Sequence, residues 1–162
     1  MNSGRTPEEL TINSASGRDF LAIAALDRCA WLGNGNHEFI PDGEHAWRLW
    51  VDGAHVFVAR KDEAIVGAIL AFPTLDGALC VHKVMVEKAY RGRGIGAGLF
   101  AVLLDRVDRD GGADCFLTVD PANQAALRLY EKWGFTERRF VAGYYREAED
   151  RYVLTRLARG IA

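Results

Sequence analysis

Residues 80–95 read CVHKVMVEKAYRGRGI, and the fold turns on how this stretch is parsed. Val84, Met85 and Val86 form a short apolar run with two β-branched members, the mark of a buried strand. Polar residues follow from Glu87. Arg91-Gly92-Arg93-Gly94-Ile95-Gly96 then lead into Leu99, Phe100, Val102, Leu103, Leu104 and Val107, which recur at helical spacing. A strand, a glycine-rich turn and a helix in this order make an anion site. The first turn of a helix carries N–H groups with no intrahelical partner and roughly half a positive charge. Glycine lets the backbone reach a ligand with no Cβ in the way, and Arg91 and Arg93 add charge-assisted bonds to a phosphate.

The bulk composition bounds the rest. With 162 residues, 49% hydrophobic and 26% charged, the chain suits one globular domain over 1–162, with a loose leader at 1–8. The net charge of −2 and the scatter of Lys and Arg offer no stripe for a nucleic acid. No apolar run is long enough to span a bilayer, and MNSGRTPEELTINS lacks the apolar core of a signal peptide. Cys29, Cys80 and Cys115 form no CxxC pair, and His37, His45 and His55 are too scattered to argue a metal site. Free thiols fit a reducing cytoplasm, the expected location.

Outward from the opening stretch, Leu10-Thr11-Ile12 alternates as a strand. Ser16 to Asp19 start a helix carrying Phe20, Ile23, Ala24, Leu26, Asp27 and Trp31, which Gly33-Asn34-Gly35-Asn36 breaks. A second helix over Glu44 to Val51 puts Trp47 and Trp50 on one face. Val56 to Val58 and Ala64 to Phe72 are strands joined at Lys61-Asp62-Glu63, and Ala78 to Glu87 completes a meander. The helix after the glycine turn ends at Gly111-Gly112. Cys115 to Val119 is a buried strand. Asp120 is the expected N-cap of a further helix, with Pro121 in its first turn and Gly134 at its end. Phe135 to Tyr145 and Arg151 to Leu157 close the chain. A meander followed by two crossover helices points to a mixed α/β sheet with helices on both faces, not a doubly wound one.

Two further pieces give the loop a context. Arg91-x-x-Gly94-x-Gly96 follows a buried strand, and NQAALRLYEKWGF places Asn123 seven residues before Tyr130. In this combination the chain from about Val56 to Leu157 resembles the GNAT superfamily of acetyl-CoA-dependent N-acetyltransferases. The resemblance implies a GNAT fold: a mixed, mostly antiparallel sheet of about seven strands flanked by about four helices. It implies acetyl-CoA as co-substrate, an amine as acceptor and no metal. In the family, the loop matching Arg91, Gly92, Arg93, Gly94, Ile95 and Gly96 wraps the coenzyme A pyrophosphate. The strand matching Val84, Met85 and Val86 pairs with the pantetheine arm. The residue matching Asn123 bonds the pantetheine or steadies the adjoining loop, and the one matching Tyr130 protonates the departing thiolate. A Tyr-Tyr pair matching Tyr144-Tyr145 lines the acceptor slot of N-terminal-amine acetyltransferases. The helices holding Trp31, Trp47 and Trp50 cover the acceptor side, where these rings either shape a pocket or fill the core. Dimers are common in the family, so a homodimer is compatible with the resemblance.

The chemistry asks for the same parts. The amine must be neutral to attack, the oxyanion needs an N–H donor such as the amide near Met85 or Val86, and the thiolate needs an acid. The base is the open position. Ribosomal-protein acetyltransferases carry a glutamate on the strand before the Asn123 helix, where this chain has Thr118. Other members place one near Cys80. Here His82 is the acid–base residue in that neighbourhood, and it shares strand parity with Val84 and Val86. Glu38, Glu44, Asp120 and a water chain are lesser candidates. None of the three cysteines sits where a nucleophile is obviously activated, which favours direct transfer. Gly92, Gly94 and Ala97 also satisfy a loose dinucleotide pattern, but Glu87 to Arg91 separate strand from glycine and no acidic residue ends the next strand. The loop lacks the Gly-Lys-Ser/Thr ending of a P-loop. Glu147, Glu149 and Asp150 offer either attraction for a cationic acceptor or a merely solvated hairpin tip. The reading is an N-acetyltransferase acting on a small molecule or peptide amine. Its alternatives are a protein N-terminal acetyltransferase and a non-catalytic acyl-CoA-binding module.

Overall fold

The structure, a computed structural model, describes residues 9–33 and 41–159. His37, Glu38 and the expected leader at 1–8 lie outside the described residues. In chain order the elements are β1 (Leu10–Ser14), α1 (Phe20–Gly33), α2 (Glu44–Gly53), β2 (His55–Lys61), β3 (Ala64–Pro73), β4 (Leu79–Val86), α3 (Ile95–Arg109), β5 (Cys115–Val119), α4 (Gln124–Lys132), β6 (Glu137–Val141) and β7 (Arg151–Arg156). The strands form one mixed sheet in the order β1-β2-β3-β4-β5-β7-β6. This is the architecture that the meander and the two crossovers implied.

Local chemistry sets the boundaries. Asp62 takes a φ of 54° between β2 and β3, a conformation that aspartate tolerates better than most residues. Between β3 and β4, Thr74 Oγ1 donates to Asp76 Oδ1 at 2.5 Å, and the Thr74 N–H donates to the Ala78 carbonyl at 2.9 Å. At the start of α1, the Asp19 carboxylate accepts the Ser16 N–H at 2.7 Å and the Ser16 hydroxyl at 3.1 Å, closing the turn that leads into the helix. The start of α4 departs from expectation. Asp120 is not the cap; its carboxylate accepts the Ala122 N–H at 2.8 Å and closes a turn. Asn123 is the cap, accepting the Ala126 N–H at 3.1 Å, so the helix begins at Gln124. The strand expected from Phe135 to Tyr145 shortens to Glu137–Val141. Its start is taken up by the helix exit, where the Phe135 N–H donates to the Tyr130 carbonyl at 3.1 Å.

By contacts the chain divides into two compact units. The first comprises Met1–Leu70 and Lys83–Leu104. Its core joins Ile23, Ala24 and Leu26 of α1 and Trp47 of α2 to Val56, Val58, Ala68, Leu70 and Met85. On Gly67, a Cβ would stand 3.1 Å from Ile95 Cγ2 and 3.2 Å from the Met85 carbonyl oxygen, so glycine is what lets α3 lie close. Beside this core sits a charge cluster. Lys83 Nζ lies 2.6 Å from Asp27 Oδ2 and 2.6 Å from Asp42 Oδ2, and the Trp47 indole N–H donates to Asp27 at 3.1 Å. The second unit comprises Ala71–His82 and Asp105–Ala162. It buries Val107, Leu117, Leu127, Phe135 and Leu154, with Arg156 gripping Asp108 through two bonds of 2.7 and 3.0 Å.

Only 4% of the Asp27 side chain is exposed, so removing Lys83 would leave a buried carboxylate without its ammonium partner. Lys83→Met should destabilise the fold by ~3–5 kcal/mol, and Lys83→Met with Asp27→Asn should recover part of that loss. Urea unfolding of the two variants measures the difference.

Candidate active site

Burial alternates along β4. Leu79, Val81 and Met85 are buried, while Cys80, His82, Val84 and Val86 are half-buried or exposed and share the other face. The parallel ladder from β4 to β5 has only two register pairs, Leu79↔Cys115 and Cys80↔Phe116. Both strands run on, β4 to Val86 and β5 to Val119. From Val81 onward, that edge of β4 carries no β5 ladder among the described residues.

In the first unit, β4 runs into a single 3-10 turn at Lys88–Tyr90 and then into the loop opening α3. Gly92 and Gly94 have φ of 76° and 79°, with open space where a Cβ would stand. Glycine is needed here for its left-handed backbone. The first bond of α3 runs from the Gly98 N–H to the Gly94 carbonyl at 2.9 Å, so the N–H groups of Ile95, Gly96 and Ala97 precede the intrahelical ladder. Arg91 Nε donates to the Val86 carbonyl at 3.0 Å, fastening the loop to the strand end. The Arg93 guanidinium lies 5.3 Å from the centre of the Tyr90 ring. A cavity of about 430 Å³ opens beside this segment, with Ala22, Ala25 and Cys29 of α1 on one side and Val86 and Arg91 on the other. Val86 and Arg91 therefore border open space. Glu44, a lesser base candidate, pairs with Arg28 at 3.5 Å.

The second unit holds the remaining residues. Tyr130 lies on α4 with its ring 6.2 Å from those of Trp133 and Phe135, and burial pushes its phenol above the usual value. It therefore holds its proton at neutral pH. Asn123 spends its side-chain oxygen on the helix cap, which leaves the amide nitrogen for a ligand. His82 is exposed, its ring 5.7 Å from that of Phe72. Tyr144 and Tyr145 pack edge to face at 4.7 Å. The Tyr145 hydroxyl lies 2.8 Å from Thr118 Oγ1. Burial chiefly, with Tyr145 and Cys80 nearby, raises the Tyr144 phenol. Thr118 has no acid–base role, but it holds Tyr145 in place. No local pattern signals that bond, because 27 residues separate its partners. The Lys83 cluster was also missed, although Asp27 on an apolar helix face and Lys83 at a buried strand parity were its signals. Burial pushes the Cys80 and Cys115 thiols up to about 11.

The fold recurs among solved structures. The ribosomal-protein-S18-alanine N-acetyltransferase of Escherichia coli shares it with a TM-score of 0.77 and 24% identity, over 95% of this chain and 96% of that one. The model of the acetyltransferase (GNAT) family matches residues 20–135. The chain belongs to that family, and with it to the acyltransferases. A mycothiol acetyltransferase of Brachybacterium faecium is 34% identical over 90 residues, 53% of this chain but 27% of the relative's length. An N-alpha-acetyltransferase of Saccharolobus solfataricus is 28% identical over 158 residues, 86% of this chain and 94% of the relative.

At pH 8 a thiol with a pKa of about 11 is roughly 0.1% thiolate, and the thiolate is the form that alkylates. Iodoacetamide should label exposed Cys29 first and spare Cys80 and Cys115 until the pH approaches 11. Peptide mapping by mass spectrometry reads the order of labelling.

Proposed function

We propose that the protein is an N-acetyltransferase that moves the acetyl group of acetyl-CoA directly onto a primary amine of a small molecule or peptide. The β4 edge beyond Cys80 carries this reading. Pantetheine is an extended arm with two amides, and it can pair with such an edge as an added strand would. Val84, Met85 and Val86 then face the arm through their backbone. The loop Arg91, Gly92, Arg93, Gly94, Ile95 and Gly96 takes the pyrophosphate on its N–H groups and guanidinium charge. The Asn123 amide nitrogen meets the pantetheine.

In this reading the amine gives a proton to His82 and attacks the thioester carbonyl. The N–H near Met85 or Val86 bonds the oxyanion. The C–S bond breaks, and Tyr130 protonates the leaving thiolate. The raised phenol of Tyr130 keeps a proton in place at neutral pH. The raised thiol of Cys80 argues against an acetylated cysteine, because no thiolate is ready to accept the acetyl group. Tyr144 and Tyr145 line the acceptor side. Their edge-to-face pairing, and the N-alpha-acetyltransferase that aligns over most of its length, favour a peptide N-terminus as the second reading. Free cysteines fit a cytoplasmic location, and the described residues contain no helix long and apolar enough to cross a membrane.

An amine panel scored by thiol release at fixed acetyl-CoA tests the proposal. Turnover of at least one amine is expected; tight acetyl-CoA binding with no thiol released across the panel favours a non-catalytic module. With an active acceptor in hand, Tyr130→Phe should lower kcat by ~10²-fold or more with KM for acetyl-CoA within a few fold. An unchanged kcat removes Tyr130 from the chemistry.

A further inference from the structure

In the second unit, strand register decides which side chains share a face of the sheet. Cys80 stands opposite Phe116, and Thr118, Val153 and Arg139 form a row across β5, β7 and β6. Residues in register on paired strands point to the same side, and so do residues two apart on one strand. Cys80, His82, Thr118 and Arg139 therefore lie on one face. The β6–β7 loop folds over it, as the bond from Tyr145 to Thr118 requires.

The charges here are mostly spent on one another. Glu149 lies 3.5 Å from the Arg146 guanidinium and 3.6 Å from that of Arg151, and Asp150 accepts the Gly143 N–H at 2.9 Å. Arg151 also lies 5.3 Å from the centre of the Tyr145 ring, and Arg138 lies 5.0 Å from that of Tyr152. Two of the three carboxylates once set against a cationic acceptor are thus engaged internally, leaving exposed Glu147. Arg139 is different. It is exposed, and no hydrogen bond, ion pair or ring contact engages it among the described residues. Glu137 shares its strand face two residues away and forms no ion pair with it. The Arg139 charge still reaches the Tyr144 phenol, where it opposes the effect of burial.

We propose that Arg139 selects the acceptor: an amine with a carboxylate a few bonds from its nitrogen, held by this guanidinium, with Tyr144 and Tyr145 against its carbon skeleton. A planar guanidinium matches a carboxylate through two parallel bonds. The inference rests on Tyr144 and Tyr145 lining the acceptor side. The same chemistry has two sources, a free amino acid or a peptide whose second residue is acidic.

Matched acceptors separate them: L-alanine against L-alaninamide, and peptides beginning Ala-Asp against Ala-Asn. Thiol release is measured with wild type, Arg139→Gln and Arg139→Glu, and acetyl-CoA binding is titrated calorimetrically on the same proteins. The wild type should favour the charged member of at least one pair by roughly tenfold in kcat/KM. Arg139→Gln should bring that ratio near one, and Arg139→Glu should invert it. Comparing ratios between proteins cancels the difference in amine basicity within a pair. Preference in the first pair alone identifies a small amino acid, and in the second alone a peptide. No preference, no turnover of either charged acceptor, or a ratio that survives Arg139→Gln overturns the inference. Acetyl-CoA binding with equal turnover of both members defeats this inference alone, whereas absent acetyl-CoA binding defeats the acetyltransferase reading beneath it.

Discussion

Backbone N–H and C=O groups need partners, and the β4–β5 ladder stops supplying them after Cys80↔Phe116. Other features gain their meaning from that edge. The strand itself is held firmly, since Leu79, Val81 and Met85 are buried beneath it and Glu87 donates to the Val66 carbonyl at 2.8 Å. An edge that is rigid and lacks a ladder is a template for an extended amide-bearing ligand. At its end, Arg91 bonds back to Val86 and two left-handed glycines turn the chain into α3. A phosphate docked on those N–H groups would fix how far along the strand the ligand reaches.

How much of this was legible in the sequence depended on range. The glycine turn, the α3 pattern and the stop at Gly111-Gly112 are encoded within a few residues, and they came out as read. The start of α4 was ambiguous because Asp-Pro serves a turn as well as a cap. Asp120 spends its carboxylate on the turn, and Asn123 takes the cap three residues later. The length of β6 was overread because Phe135 belongs to the exit of α4. Contacts between distant residues were beyond a local pattern. Lys83 and Asp27 are 56 residues apart, and nothing in either neighbourhood names the other.

Electrostatics divides the site residues into spent and unspent groups. Lys83, Asp27 and Asp42 satisfy one another beside the core of the first unit, a stabilising arrangement rather than a reactive one. In the second unit, burial keeps Cys80 and Tyr130 protonated, which suits a thiol bystander and a phenolic acid. The hairpin acids that looked available in sequence are mostly engaged, while Arg139 is not. Among the described residues, Arg139 is an unpaired cation on the face shared by His82 and Thr118, and it shifts the expected acceptor from a bare amine to one with a nearby carboxylate.

The donor site is the central claim, and amide hydrogen exchange with and without coenzyme A tests it most directly. On saturation with coenzyme A, the account predicts slower exchange in peptides covering Val84 to Val86 and Arg91 to Gly96. Binding confirmed by calorimetry, with exchange in both segments unchanged, would contradict it.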